Sequence, residues 1–134
     1  MKRTMLLNAE ISMLIASMGH GDMVVVGDAG LPIPTGLGGP QRIDLAVCPG
    51  VPSVDQVLTA VLSELQVEHV YIATEALQGE EKTLPPWCAS CAELDIETIS
   101  HEQLKALCHT ARAVIRTGEC SPFANIVLVS GVTF

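Results

Sequence analysis

Two short signals, Ser53–Gln56 and Ser100–Gln103, constrain the fold of this chain more than anything else in it. In an S-x-x-Q box the serine hydroxyl accepts from the backbone N–H three residues on, and the glutamine side chain reaches back to the serine N–H. Each box therefore starts a helix. Behind the first, Val54, Val57, Leu58, Val61, Leu62 and Leu65 form one broad apolar face; behind the second come Leu104, Leu107 and Ala111. Between and around these helices lie short apolar runs rich in β-branched residues.

The run Met23–Val26 is apolar at every position and reads as a strand buried on both faces. Arg42–Val47, Glu68–Thr74, "IETI" (96–99), "AVIRTG" (113–118) and "NIVLVSGVTF" (125–134) are expected to be further strands, the last running to the C-terminus. Ahead of them, Asn8 can cap a helix with Ile11, Leu14, Ile15 and Met18 on one side and Gly19 as its stop. Pro32 to Pro40 is a loop, and 78–92 breaks every pattern, as a surface excursion with one short helix would. Alternating strands and helices predict an α/β fold: a single domain over 1–134, with a mostly parallel sheet flanked by helices.

Composition narrows the function. Apolar residues make up 49% of the chain, but only two Phe, one Tyr and one Trp are present, so the core is aliphatic. The formal charge is −8 and the seven basic residues are scattered singly, which argues against a nucleic-acid partner. Mean hydropathy is high for a chain without a bilayer-length apolar run, and we expect the excess to be buried between copies of the chain. The N-terminus superficially resembles a signal peptide, but Asn8, Glu10 and Ser12 interrupt it at helical spacing. An ordinary first helix of a cytoplasmic protein is expected, and five cysteines fit a reducing compartment.

Several residues could carry chemistry. His20 lies between two glycines past a helix end; imidazole, with an unperturbed pKa of about 6.5, transfers protons both ways near neutrality. A histidine that merely faces the helix's last carbonyls is the alternative. Asp28 ends the buried strand, where ligands of open α/β sheets gather, and a carboxylate there can accept from a polyhydroxylated ligand; an Asx turn is the competing reading. His101 is the first helical residue after its serine cap, so the positive helix end favours a neutral ring; a solvated histidine is the alternative. His69 is expected to be structural and His109 solvated. Cys88 and Cys91 form a lone C-x-x-C without the second pair of a zinc ribbon or the βα context of a redox motif, so reduced cysteines in a variable loop are expected. "GLGG" and "GHGDMV" lack the residues of a nucleotide site.

Taken together, "GHGD", "DAGLPIP", "RID" and "GECSPFANIVLVSGVTF" closely resemble the RbsD family of sugar-ring isomerases, from "LLNAEI" to Phe134 and least in 78–92. The resemblance implies interconversion of the β-pyranose and β-furanose forms of D-ribose without a cofactor or metal, ahead of phosphorylation by a kinase. It also implies a cytoplasmic homo-oligomer, a decamer of two pentamers, with sites at subunit interfaces. By position His20 is then the acid, and Asp28, His101, Phe123, Ala124 and Asn125 contact the sugar. The family usually has tyrosine where this chain has Phe123, which removes a phenolic hydrogen bond and leaves the ring face.

His20 and Asp28 are eight residues apart around a strand, roughly 26 Å if extended, far more than one pentose spans. Either the flanking loops curl back sharply or the two residues of one site come from different chains; we expect the second. Three rivals remain at this stage: a fucose-type sugar mutarotase, a non-catalytic ribose-binding accessory protein, and a metal or thiol protein built on Cys88 and Cys91.

Overall fold

The computed structural model describes residues 1–134. Six strands form one sheet in the order β2-β5-β1-β6-β3-β4. They are β1 (Met23–Gly27), β2 (Gln41–Asp44), β3 (Val67–Ala73), β4 (Ile96–Ile99), β5 (Ala113–Arg116) and β6 (Ile126–Ser130). Three neighbouring pairs, β2·β5, β5·β1 and β3·β4, are parallel. β6 runs antiparallel to β1 on one side and β3 on the other. The sheet is mixed, three parallel junctions to two antiparallel ones, because the last strand inserts into its middle.

Three helices accompany it: α1 (Ala9–Ser17), α2 (Val54–Leu62) and α3 (His101–Cys108). Both capping boxes form as the sequence predicts, with Ser53 and Ser100 each exchanging bonds with its glutamine. Asn8 Oδ1 accepts from Ile11 N at 2.9 Å and starts α1. Val24, Val25 and Val26 are all buried, as a strand covered on both faces requires. α2 rests on β1, and α3 on β3 and β6. No helix is long and apolar enough to cross a membrane.

β3 and β5 shift by a residue or two from expectation, and four larger differences stand out. α1 stops at Ser17 with Met18 in extended conformation, so Gly19 is not a left-handed stop; its N–H is instead taken by Asp22 Oδ2 at 2.9 Å. β2 ends at Asp44, not Val47, because Asp44 Oδ1 accepts from Ala46 N and turns the chain. β6 ends at Ser130, and Val132 and Phe134 are exposed beyond it. Finally, 78–92 is not merely a surface excursion. Its 3₁₀ segment Pro86–Cys91 packs on α2 and buries Trp87, Cys88 and Cys91. Burial pushes the Cys88 thiol up to about 11 and the Cys91 thiol to about 12, so the C-x-x-C is core filling held in its inert form.

Candidate active site

β1 ends at Gly27 beside the start of β6, so the residues that follow the one and precede the other come together. Those residues are Asp28 and Asn125, and they are paired twice. Asn125 Oδ1 accepts from Asp28 N at 2.9 Å, and Asn125 Nδ2 donates to Asp28 Oδ2 at 3.0 Å. Asn125 is 1% exposed, so both contacts are largely shielded from water. Asp28 Oδ1 also accepts from Gly30 N at 2.9 Å. The Asx turn is therefore formed, with one oxygen closing it and the other holding Asn125.

This approach depends on Gly27. A β-carbon there would lie 2.5 Å from Leu31 Cδ2 and 2.9 Å from Asn125 Oδ1, displacing the amide that organises the pair. The neighbouring strand end supports it from the other side. Thr117 Oγ1 donates to Gly27 O at 2.8 Å, and Arg116 donates to Ala29 O at 3.0 Å while pairing with Asp44. Arg116 and Arg42 hold the Asp44 carboxyl below its ordinary range.

Phe123, Ala124 and Asn125 form a tight turn in which Asn125 N donates to Phe123 O at 2.8 Å. Ala124 is fully buried. Phe123 has φ of +59°, a conformation that costs a bulky residue of order 1–3 kcal/mol and that the surroundings must enforce. The result aims its ring at His101: the two centroids are 5.1 Å apart, edge to face.

His101 opens α3 right after β4. Its backbone N–H donates to both carboxylate oxygens of Glu75, at 2.9 and 3.1 Å. Glu75 follows β3, so the carboxyl ends of two adjacent strands together fix the backbone at His101. The solvated-histidine reading fails here, since the ring is half-buried and Nδ1 is fully buried without a protein partner. His109, by contrast, is exposed, and His69 is structural: its Nε2 contacts the Tyr71 hydroxyl at 3.0 Å.

His20 is elsewhere. Gly21 N donates to Ser130 O at 2.8 Å, which seats the turn at the far end of β6 from Asn125. Its side chain is 61% exposed and contacts Glu68 Oε2 through Nε2 at 2.8 Å. Asp22, braced by Arg112 at 2.6 Å, holds the loop backbone. Together with Met18, Gln66 and the C-terminal Val132–Phe134, His20 lines an open cleft of about 390 Å³. Five of the six sequence-predicted site residues thus converge, and the sixth stands at the opposite end of the sheet.

Sequence reasoning missed Glu68, Glu75, Arg116 and Thr117. Arg116 and Thr117 lie inside "AVIRTG", read only as a strand, and nothing local marks the two glutamates.

Over residues 1–133 the chain matches the RbsD / FucU transport protein family. It belongs to that family. It is 58% identical over 134 residues to the D-ribose pyranase of Paracidovorax citrulli and 60% identical over 135 residues to that of Variovorax paradoxus, each over 100% of both chains. Among solved structures it is similar to Bacillus subtilis RbsD complexed with D-ribose, with a TM-score of 0.88, 38% identity and 100% of both chains covered. The family likeness expected from "DAGLPIP" and "GECSPFAN" holds along the full length.

Proposed function

We propose that this chain interconverts the β-pyranose and β-furanose forms of D-ribose by acid/base opening and reclosure of the hemiacetal. The observation that carries the reading is the cluster Asp28, Asn125, His101 and Phe123 at one end of the sheet. It offers acceptors, a donor and an aromatic edge, with no phosphate-binding loop, which suits an uncharged polyhydroxylated ring. The full-length similarity to two D-ribose pyranases supports the same substrate.

The chemistry needs one group to protonate the ring oxygen while another takes the proton from the anomeric hydroxyl. The C1–ring-oxygen bond breaks and an aldehyde forms at C1. A different hydroxyl then adds to C1, losing its proton as the carbonyl oxygen gains one. The sum is an isomerisation in which nothing is consumed. His20 is the acid on this reading, and His101 or a water it holds is the base. Asp28 and Asn125 orient hydroxyls, which alone can remove several kcal/mol of barrier.

Supporting a shared site is the separation of His20 from Asp28 by the length of β6. The site is completed by His20 of a neighbouring copy in a homo-oligomer. Exposed Met5, Leu7, Met13 and Val47 supply apolar surface for such contacts, and the five free cysteines fit a cytoplasmic setting. NMR exchange spectroscopy of ribose and of fucose tests the function. Faster pyranose–furanose exchange of ribose supports it. Acceleration of fucose anomers alone would make the protein a mutarotase, and ribose binding without faster exchange would make it an accessory protein.

A further inference from the structure

We infer that Glu68 is a positioning residue that fixes the tautomer of His20, so that a single ring nitrogen, Nδ1, both gives and takes the proton during sugar-ring opening and closure. The inference rests on the reading of His20 as the acid.

The argument begins in the sheet. β3 and β6 pair in register from His69 to Ile72, but at the start of β3 the register shifts: Val67 faces Ser130 and His69 faces Val129. Glu68 is therefore the extra residue of a β-bulge, in an otherwise regular pair of interior strands. Bulges re-aim a side chain that the two-residue alternation would otherwise send elsewhere. Here the re-aimed carboxylate reaches His20, 48 residues away in sequence, at 2.8 Å.

The surroundings are shaped to this bulge. A β-carbon on Gly131, just past the end of β6, would lie 3.3 Å from both the backbone N and Cβ of Glu68, so no side chain stands where Glu68 passes. Gly131 N donates to Gln66 O at 2.9 Å, closing the ladder around the extra residue. On the other side, Gly21 N to Ser130 O and Ser130 N to Asp22 O, both 2.8 Å, tie the His20 turn to the same strand end. Glu68 and His20 are thus mounted on one rigid piece of sheet.

The chemical consequence follows from what a carboxylate can do. It offers only lone pairs, so His20 Nε2 must carry the hydrogen in that contact. In the neutral ring Nδ1 is then a bare acceptor, and in the imidazolium it is a donor. Nε2 keeps its hydrogen throughout. Ring opening transfers the Nδ1 proton to the sugar ring oxygen, and reclosure returns a proton from the attacking hydroxyl to the same Nδ1. No rotation or tautomer exchange separates the two steps. This is the orienting role that carboxylates play behind functional histidines.

Glu68→Gln and Glu68→Ala, made in the full-length protein, test it. Glutamine keeps the size and a hydrogen-bonding tip but can donate as well as accept, so a merely structural contact survives while the choice of tautomer does not. In wild type, ¹⁵N NMR should show His20 in the Nε2–H form; both variants should gain the Nδ1–H form. kcat for ribose exchange should fall roughly tenfold to a hundredfold, the range for losing an orienting carboxylate, with KM little changed. Wild-type kcat in both variants, or a rate loss with the Nε2–H form intact, overturns the proposal. His20→Ala, run alongside, separates the two readings. Full activity in that variant removes the acid assignment, whereas its inactivity beside two fully active Glu68 variants removes the role of Glu68 alone.

Discussion

The two ends of β6 carry clusters of opposite character. At the Asn125 end, Asn125 is buried and paired twice with Asp28, beside a strained Phe123 that meets His101 edge to face. At the Ser130 end, His20 and Glu68 form a pair that is more than half exposed, where an ion pair contributes little to stability. Asn125 and Ala124 are buried with the core, whereas Phe123 and the His20–Glu68 pair are exposed.

That contrast can be broken most decisively by mixing. His20→Ala and Asp28→Ala should each lower ribose exchange, the former by about 10²–10⁴ as for a lost acid/base group. Co-assembled, the two inactive chains should regain part of the activity, because some sites then combine an intact His20 with an intact Asp28. No recovery on demonstrated co-assembly would mean that each chain completes its own site.

Removing the buried amide should affect folding as well as rate. Asn125→Ala strands the Asp28 N–H, at a cost of roughly 1–3 kcal/mol, and should lower the melting temperature by several degrees. A Glu68→Gln protein should melt within about 0.5 kcal/mol of wild type, as exposed sites do. Equal melting losses would erase the distinction between the two ends.

Gly27→Ala drives a methyl group into Leu31 and Asn125. Overpacking of this kind costs about 1–3 kcal/mol, and the displaced amide should raise KM for ribose more than it lowers kcat. The smallest change expected is a gain. Phe123→Tyr restores the hydroxyl that the family usually carries, and one neutral hydrogen bond, roughly 0.5–1.5 kcal/mol, should tighten ribose binding several-fold in a titration.

Much of the fold was legible because its signals are local. The two capping boxes, the Asn8 cap and the all-valine centre of β1 are each decided within a few residues. What was not legible depends on contacts distant in sequence. Trp87, Cys88 and Cys91 are too closely spaced to show a period, so their burial against α2 had no pattern to announce it. The insertion of β6 between β1 and β3 is a choice of neighbours, and it brings Asn125 to Asp28 across 97 positions. The bulge at Glu68 exists only as a mismatch between two strands, so neither strand alone reveals it. The candidate site divides the same way: Asp28 and His101 stood out by their place at element ends, while Glu68 and Glu75 are acidic residues among fifteen until the sheet assembles.

Every residue of β6 is buried and hydrogen-bonded partners brace it on both sides, which holds its ends roughly 17 Å apart. On the proposed reading, turnover per molecule is then a function of how much protein is in the tube. Dilution below the subunit dissociation constant should then silence the sites.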